Sequence, residues 1–155
     1  MSDAAWMQVA LEQAALALAE GNLPIGAAIV HDGSLVAIGR NGIESDSDDT
    51  RHAELVPIQA IPGFLFEHKR RCTIYTTLEP CMMCLGAIVN VGIARVVFGA
   101  FDRRVGATGL LPHGNYYRRK GLEIVSGLAA DDNRALINEY VRRTGLRAHM
   151  SSDRA

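Results

Sequence analysis

The sequence predicts an α/β domain in which a mixed sheet is covered by helices on both faces. Three observations predict it. A β-hairpin signal lies near the start, helical and extended segments alternate after it, and no internal repeat or long linker divides the 155 residues. A hairpin supplies antiparallel neighbours and helical crossovers supply parallel ones, so one mixed sheet is the natural packing. The chain is long enough for a substantial core. Its 48% hydrophobic and 21% charged residues are an ordinary globular balance that excludes extensive disorder.

Asp3 to Glu20 carries a helical stripe of Met7, Leu11, Ala14 and Leu18, with Ser2 or Asp3 as cap and Gly21-Asn22 as stop. Leu23-Pro24-Ile25-Gly26 is a loop entering a strand, Ala27 to Val30. Asp32-Gly33 marks a hairpin turn, and Leu35 to Gly39 returns as the antiparallel partner. Arg40 to Thr50 is polar and is expected to be an exposed connection. A helix carrying His52 and Glu54 follows, meets Pro57 early and closes by Ile61-Pro62-Gly63, while Phe64 to Arg71 fits helix or loop equally.

Cys72 to Thr76 alternates and is rich in β-formers, which makes Cys72 a small buried residue of a strand. Cys81 to Val91 reads as a helix packing Ala87, Ile88 and Val91 inward. Arg95 to Phe98 is a short buried strand, and Gly99 to Gly109 a glycine-punctuated loop. Asn115 to Lys120 suits a short helix and Leu122 to Val125 a fifth strand. Asp131 to Arg143 closes the fold, capped by Asp131 or Asp132, with Leu136, Ile137, Tyr140 and Val141 facing the core. A single domain over residues 1–147 and a flexible tail over 148–155 are expected.

Three cysteines do not make a disulfide framework, so a reducing cytoplasm is expected. The N-terminus has no basic segment leading into an apolar run, and no apolar run is long enough to cross a membrane. The net charge of −1 neither requires nor excludes nucleic acid. Basic clusters at His68-Lys69-Arg70-Arg71, Arg103-Arg104, Arg118-Arg119-Lys120 and Arg142-Arg143 read as solvated faces or helix ends.

Two short stretches carry the chemistry. Arg51-His52-Ala53-Glu54 contains His-x-Glu, and Thr77-Leu78-Glu79-Pro80-Cys81-Met82-Met83-Cys84 contains Pro-Cys-x-x-Cys. One imidazole and two thiolates, from His52, Cys81 and Cys84, supply three ligands to a tetrahedral Zn2+ and leave the fourth position for water. Zinc brings that water's pKa toward neutrality, and the Glu54 carboxylate is placed to move its proton. A Cys-x-x-Cys can also be a redox pair or half of a structural zinc knuckle. A structural site needs a fourth ligand, and the remaining cysteine, Cys72, stands alone. Thiolates at the start of a helix are favoured by its dipole, and Pro80 sits where a helix tolerates proline.

His-x-Glu with Pro-Cys-x-x-Cys is the signature of zinc-dependent base deaminases. From Pro24-Ile25-Gly26-Ala27 to the last helix the chain resembles the cytidine deaminase-like superfamily. It is most similar to the branch of bacterial tRNA adenosine deaminases, guanine deaminases and fungal-type cytosine deaminases. Thr77-Leu78-Glu79-Pro80-Cys81, Gly86-Ala87-Ile88 and Val97-Phe98-Gly99-Ala100 resemble that branch in particular.

The resemblance implies a three-layer α/β/α sandwich on a five-stranded mixed sheet, assembled as a homodimer. It makes His52, Cys81 and Cys84 the zinc ligands and Glu54 the proton shuttle. It implies base contacts from Asn41 and the Ala53 backbone, and a ring wall from Leu23, Pro24 and Ile25. Glu79 is expected to shape its turn. Asp102, Gly106, Ala107 and Gly109 resemble the loop of tRNA adenosine deaminases, but Phe101 stands where those enzymes carry arginine and is expected to cover a small base. The C-terminal Trp and Asp of fungal-type cytosine deaminases are not seen.

The expected function is hydrolytic deamination of a cytosine-, guanine-, isoguanine- or triazine-type base in salvage, a small-molecule heterocycle being the partner and membranes playing no part. The alternative is adenosine at a tRNA wobble position, which needs a basic rim for phosphates. A catalytically retired, zinc-stabilised binding module is the reading of a different class, and it has no use for Glu54.

Overall fold

Helix α1 (Asp3–Ala19) forms on the predicted stripe, and Met7, Leu11, Ala14 and Leu18 are all buried. The Ser2 hydroxyl caps it by accepting from the Ala5 N–H at 3.4 Å. The chain, whose residues 1–145 are described by this computed structural model, then builds strands β1 (Gly26–His31) and β2 (Ser34–Arg40) around the Asp32-Gly33 turn. With β3 (Cys72–Leu78), β4 (Arg95–Ala100) and β5 (Glu123–Val125) they form one sheet in the order β2-β1-β3-β4-β5. The β2-β1-β3 pairs are antiparallel and the β3-β4-β5 pairs parallel, the mixed sheet expected. The tail expected at 148–155 lies outside the described residues.

Alternation along the strands separates two cores. Val30, Tyr75 and Val97 face α1 through Trp6, Met7, Ala10 and Leu11. Ile29, Ile74 and Val96 face the other way, onto Ile58, Leu65 and Ile88. Those three residues belong to α3 (Leu55–Ala60), α4 (Pro62–His68) and α5 (Met82–Val91). Helix α7 (Ala130–Thr144) lies beside α1 and closes its layer. Among the described residues no helix is long and apolar enough to cross a membrane.

The structure corrects several expectations. Arg40–Thr50 is not wholly an exposed connection. Asn41 and Gly42 are buried, and a one-turn helix α2 (Ile43–Asp46) follows them. His52 and Glu54 do not lie on a helix. They occupy the turn before α3, whose first bonds run from the Leu55 and Val56 N–H groups to the His52 carbonyl. Proline at the first position starts α4, and Lys69–Arg71 add a 3-10 turn, which settles Phe64–Arg71 as helical. Short helix α6 (Asn115–Arg119) appears as expected. Asp131 and Asp132 do not cap α7. Ala129 occupies the N-cap position without a side-chain bond, and both carboxylates fall in the first turn, where the helix dipole favours them.

At the end of the sheet where β4 begins, Asp3 ties α1 to the strands. Its carboxylate accepts two bonds from Arg95, at 2.9 and 2.7 Å, and one from the Tyr75 hydroxyl at 2.7 Å. Arg95 also donates to Glu123 at 2.9 Å. These bonds, Arg95 first, hold the Asp3 carboxyl at about 2, below its ordinary 3.8. A depressed carboxylate stabilises the fold above its unfolded pKa and loses that contribution as pH falls through the folded one. Asp3→Asn is therefore expected to cost about 1 kcal/mol at pH 7, a modest figure because the pair is partly open to solvent. The difference from the parent should vanish between pH 4 and 2, as read by urea denaturation across that range.

Candidate metal centre and active site

Strand register brings every expected site segment to one end of the sheet. Gly26 pairs with Arg40, and Leu78 with Ala100. The start of β1 and the ends of β2, β3 and β4 therefore share an edge, and Ile25, Asn41, Glu79 and Phe101 are the residues just beyond them. Two close approaches draw the flanking elements in. A Cβ at Gly39 would collide with the Ala53 carbonyl oxygen, and one at Gly26 with that of Ala10. Glycine at 39 thus lets the His52-Ala53-Glu54 turn lie against β2.

From that turn His52 reaches the start of α5. His52 Nδ1 lies 3.6 Å from Cys81 Sγ and 3.5 Å from Cys84 Sγ, and the three atoms fit within 4.8 Å of one another. Zn–S bonds near 2.3 Å and Zn–N bonds near 2.0 Å in a tetrahedron separate sulfur from nitrogen by about 3.5 Å. The donor set fits zinc in chemistry and in spacing. Cys81 is the N-cap of α5 and Cys84 its third residue, so both meet the positive end of the helix.

Glu54 is 4% exposed, and its Oε2 accepts from the Cys84 thiol at 3.5 Å. Burial pushes its carboxyl up, which makes the ionised form a stronger base. The two thiols diverge. A bond from Cys84, then one from His52, holds Cys81 down to about 4, whereas donating to Cys81 and burial push Cys84 up. The Cys81 contact likewise raises His52.

The remaining expected contacts gather on the same edge. Asn41 is buried, its N–H donates to the Ile25 carbonyl at 3.0 Å, and its Oδ1 accepts from Ile43 N–H at 3.0 Å. The second bond commits the Asn41 amide oxygen to its own loop. Ala53 is buried beside Glu54; Leu23 and Ile25 are half-buried and Pro24 is buried. Phe101 is 56% exposed and meets Phe98 edge-on at 5.1 Å, so it is neither core nor a closed wall in this chain alone.

Three residues that organise this edge were not legible. Asn22 joins the first loop to α2, accepting from Glu44 and Ser45 N–H groups at 2.9 and 3.1 Å. Asn133, on α7, donates to the Pro24 carbonyl at 3.1 Å. Glu79 was expected to shape its turn, but its carboxylate bonds to a loop more than twenty residues away. Partners 109 residues apart, as for Asn133, leave no local signal in a sequence.

Residues 1–100 match the family model described as the cytidine and deoxycytidylate deaminase zinc-binding region. This chain belongs to that family. It is a zinc-dependent hydrolytic deaminase by family, and the His52, Cys81 and Cys84 group is the one its metal would occupy. The tRNA-specific adenosine deaminase of Haemophilus influenzae is 38% identical over 134 residues, 84% of this chain and 78% of that one. A solved structure from work on tRNA:A34 deaminases that edit A to I at the wobble position has a TM-score of 0.73 at 32% identity, covering 85% of this chain and 98% of that one. The guanine deaminase of Bacillus subtilis has a TM-score of 0.61 at 34% identity over 66% of each chain. Three curated relatives are matched over 66%, 78% and 89% of their own length.

Glu54→Ala is expected to keep one zinc per chain and the native melting transition while turnover falls by about 10²-fold or more. Ammonia release and zinc content measured on the same sample check this, and an unimpaired rate would remove Glu54 from the chemistry. Zinc binding must displace the Cys84 proton, so affinity should weaken as pH falls. Calorimetry in buffers of different ionisation enthalpy counts the protons released.

Proposed function

We propose that this chain deaminates adenosine at the wobble position of tRNA, consuming water and releasing ammonia. The observation that carries this reading is the extent of likeness to a tRNA-specific adenosine deaminase, 134 residues at 38% identity. The metal motifs alone do not discriminate, because a guanine deaminase is also similar. The order of preference set by the sequence, a free base ahead of tRNA, is thereby reversed.

Bound by His52, Cys81 and Cys84, zinc would supply a neutral-pH nucleophile from water. Glu54, buried and a strengthened base, takes that water's proton. It gives that proton to the ring nitrogen next to the attacked carbon, then takes the remaining proton of the added hydroxyl and gives it to the departing amine, so that the ring keeps a carbonyl and ammonia leaves. The Asn41 amide and the Ala53 backbone orient the base, and Leu23, Pro24 and Ile25 wall its ring. Beside Cys81 a cavity of about 410 Å³ is lined by Met82, Met83, Arg104 and Val105. Its apolar floor and cationic rim suit a nucleotide flanking the target, the guanidinium answering a phosphate.

Phe101 favours a second reading, a free purine-type base. It replaces a cation with an exposed ring at the edge of the site. A second copy of this chain is the partner proposed for it, as a homodimer. Three free cysteines accord with a cytoplasmic setting.

Ammonia release by the zinc-loaded protein decides between the substrates. An adenosine-containing anticodon stem-loop should be turned over while guanine, isoguanine, cytosine, amino-triazines and free adenosine remain near background. Turnover of a free base with an inert stem-loop would replace this reading with the second one.

A further inference from the structure

Glu79 directly precedes Pro80-Cys81 and is only 8% exposed, yet it takes no part in the metal triangle or in proton transfer. Its carboxylate faces away from the metal chemistry, into the loop that follows β4. Oε2 accepts from the Asp102 N–H at 3.1 Å, and Oε1 accepts from the Thr108 N–H at 3.1 Å and from the Thr108 hydroxyl. One side chain therefore grips both ends of a seven-residue span. The span is shaped to that grip, since a Cβ at Gly106 would collide with Glu79 Oε2. Backbone bonds continue the seam. Glu79 N–H donates to Ala100 at 2.8 Å, Ala107 N–H to Pro80 at 3.1 Å, and Cys81 bridges to Gly106.

Inside the loop, Asp102 turns its own carboxylate inward to the Arg104 and Val105 N–H groups at 2.9 and 3.2 Å. That turn sets Arg104 and Val105 on the cavity beside Cys81. We infer that Glu79 is a positioning residue, whose carboxylate clamps residues 102–108 so that Arg104 and Val105 are preformed against the metal turn for a polyanionic substrate. The substrate part of this inference rests on the RNA reading above. The clamp does not. A carboxylate satisfied by three neutral donors in a buried place is strongly bound, and loss of one charge-assisted bond frees the loop by about tenfold or more.

Glu79→Gln keeps the shape but turns an NH2 toward a donor. In the zinc-loaded protein it is expected to retain one zinc per chain and a kcat within about threefold of the parent. KM for the anticodon stem-loop should rise about tenfold, and trypsin should cut after Arg103 or Arg104 about tenfold faster, located by mass spectrometry. Thr108→Val, which removes one of the three donors and little volume, should move both readings in the same direction by a smaller factor, and it decides the matter if the glutamine variant does not fold. Unchanged cleavage and KM would overturn the clamp. Loss of zinc, or a fall in kcat with KM unmoved, would also overturn it by assigning Glu79 to the metal turn. If the parent leaves the stem-loop untouched, the RNA reading fails, and the cleavage rates still decide the clamp.

Discussion

The structure depends on bringing an imidazole from one loop and two thiols from one helix start within ligand distance of each other. Neither segment could do so alone. His52 sits on an irregular turn, and irregular backbone holds a side chain only as well as its surroundings do. Here the surroundings are β2 beneath the turn and α3 and α5 packed on the same face of the sheet, sharing a core through Ile58 and Ile88. The absence of a side chain at Gly39 lets the turn descend onto the strand, so the hairpin is part of the metal centre's foundation.

A division of labour between the two ends of the sheet follows. One end is joined by charge: Asp3, Arg95 and Glu123 link α1, β4 and β5 in exposed or half-exposed positions where water moderates each bond. The other end has an exposed Arg40–Glu20 pair as well, but is joined chiefly by buried neutral amides and a buried carboxylate, from Asn22, Asn41, Asn133 and Glu79. Uncompensated polar groups cost most in dry places, so these contacts are unforgiving of substitution, and they hold the loops still where chemistry needs them still.

Much of this was legible in the sequence. The five strands, helices α1, α3, α5, α6 and α7, and the metal ligands follow from alternation, helical period and ligand spacing, all local properties, whereas α2 lay in a segment expected to be an exposed connection. Cys81 and Cys84 fall where a helix begins because Pro80 signals it. The misplacements have physical causes. His52 and Glu54 were expected on a helix, but the chain holds them in the turn just before it, against β2. The 40–50 segment was expected outside because its composition is polar, yet Asn41 and Gly42 are drawn in by bonds to the Ile25 and Arg51 carbonyls. The choice among bases was least legible. It lies in how loops meet across the sheet end, where Phe101 points toward a small base and the likeness of the whole chain to tRNA deaminases points the other way.

Asn133 offers a view of how such a scaffold diversifies. The Pro24 carbonyl, at the site's edge, is fastened from outside by one amide on the last helix, while the match to the family model ends at residue 100. The metal ligands lie within that matched portion, and the last helix lies beyond it. Substitutions on the last helix can therefore shift the Pro24 loop while the ligand set of the metal centre stays intact.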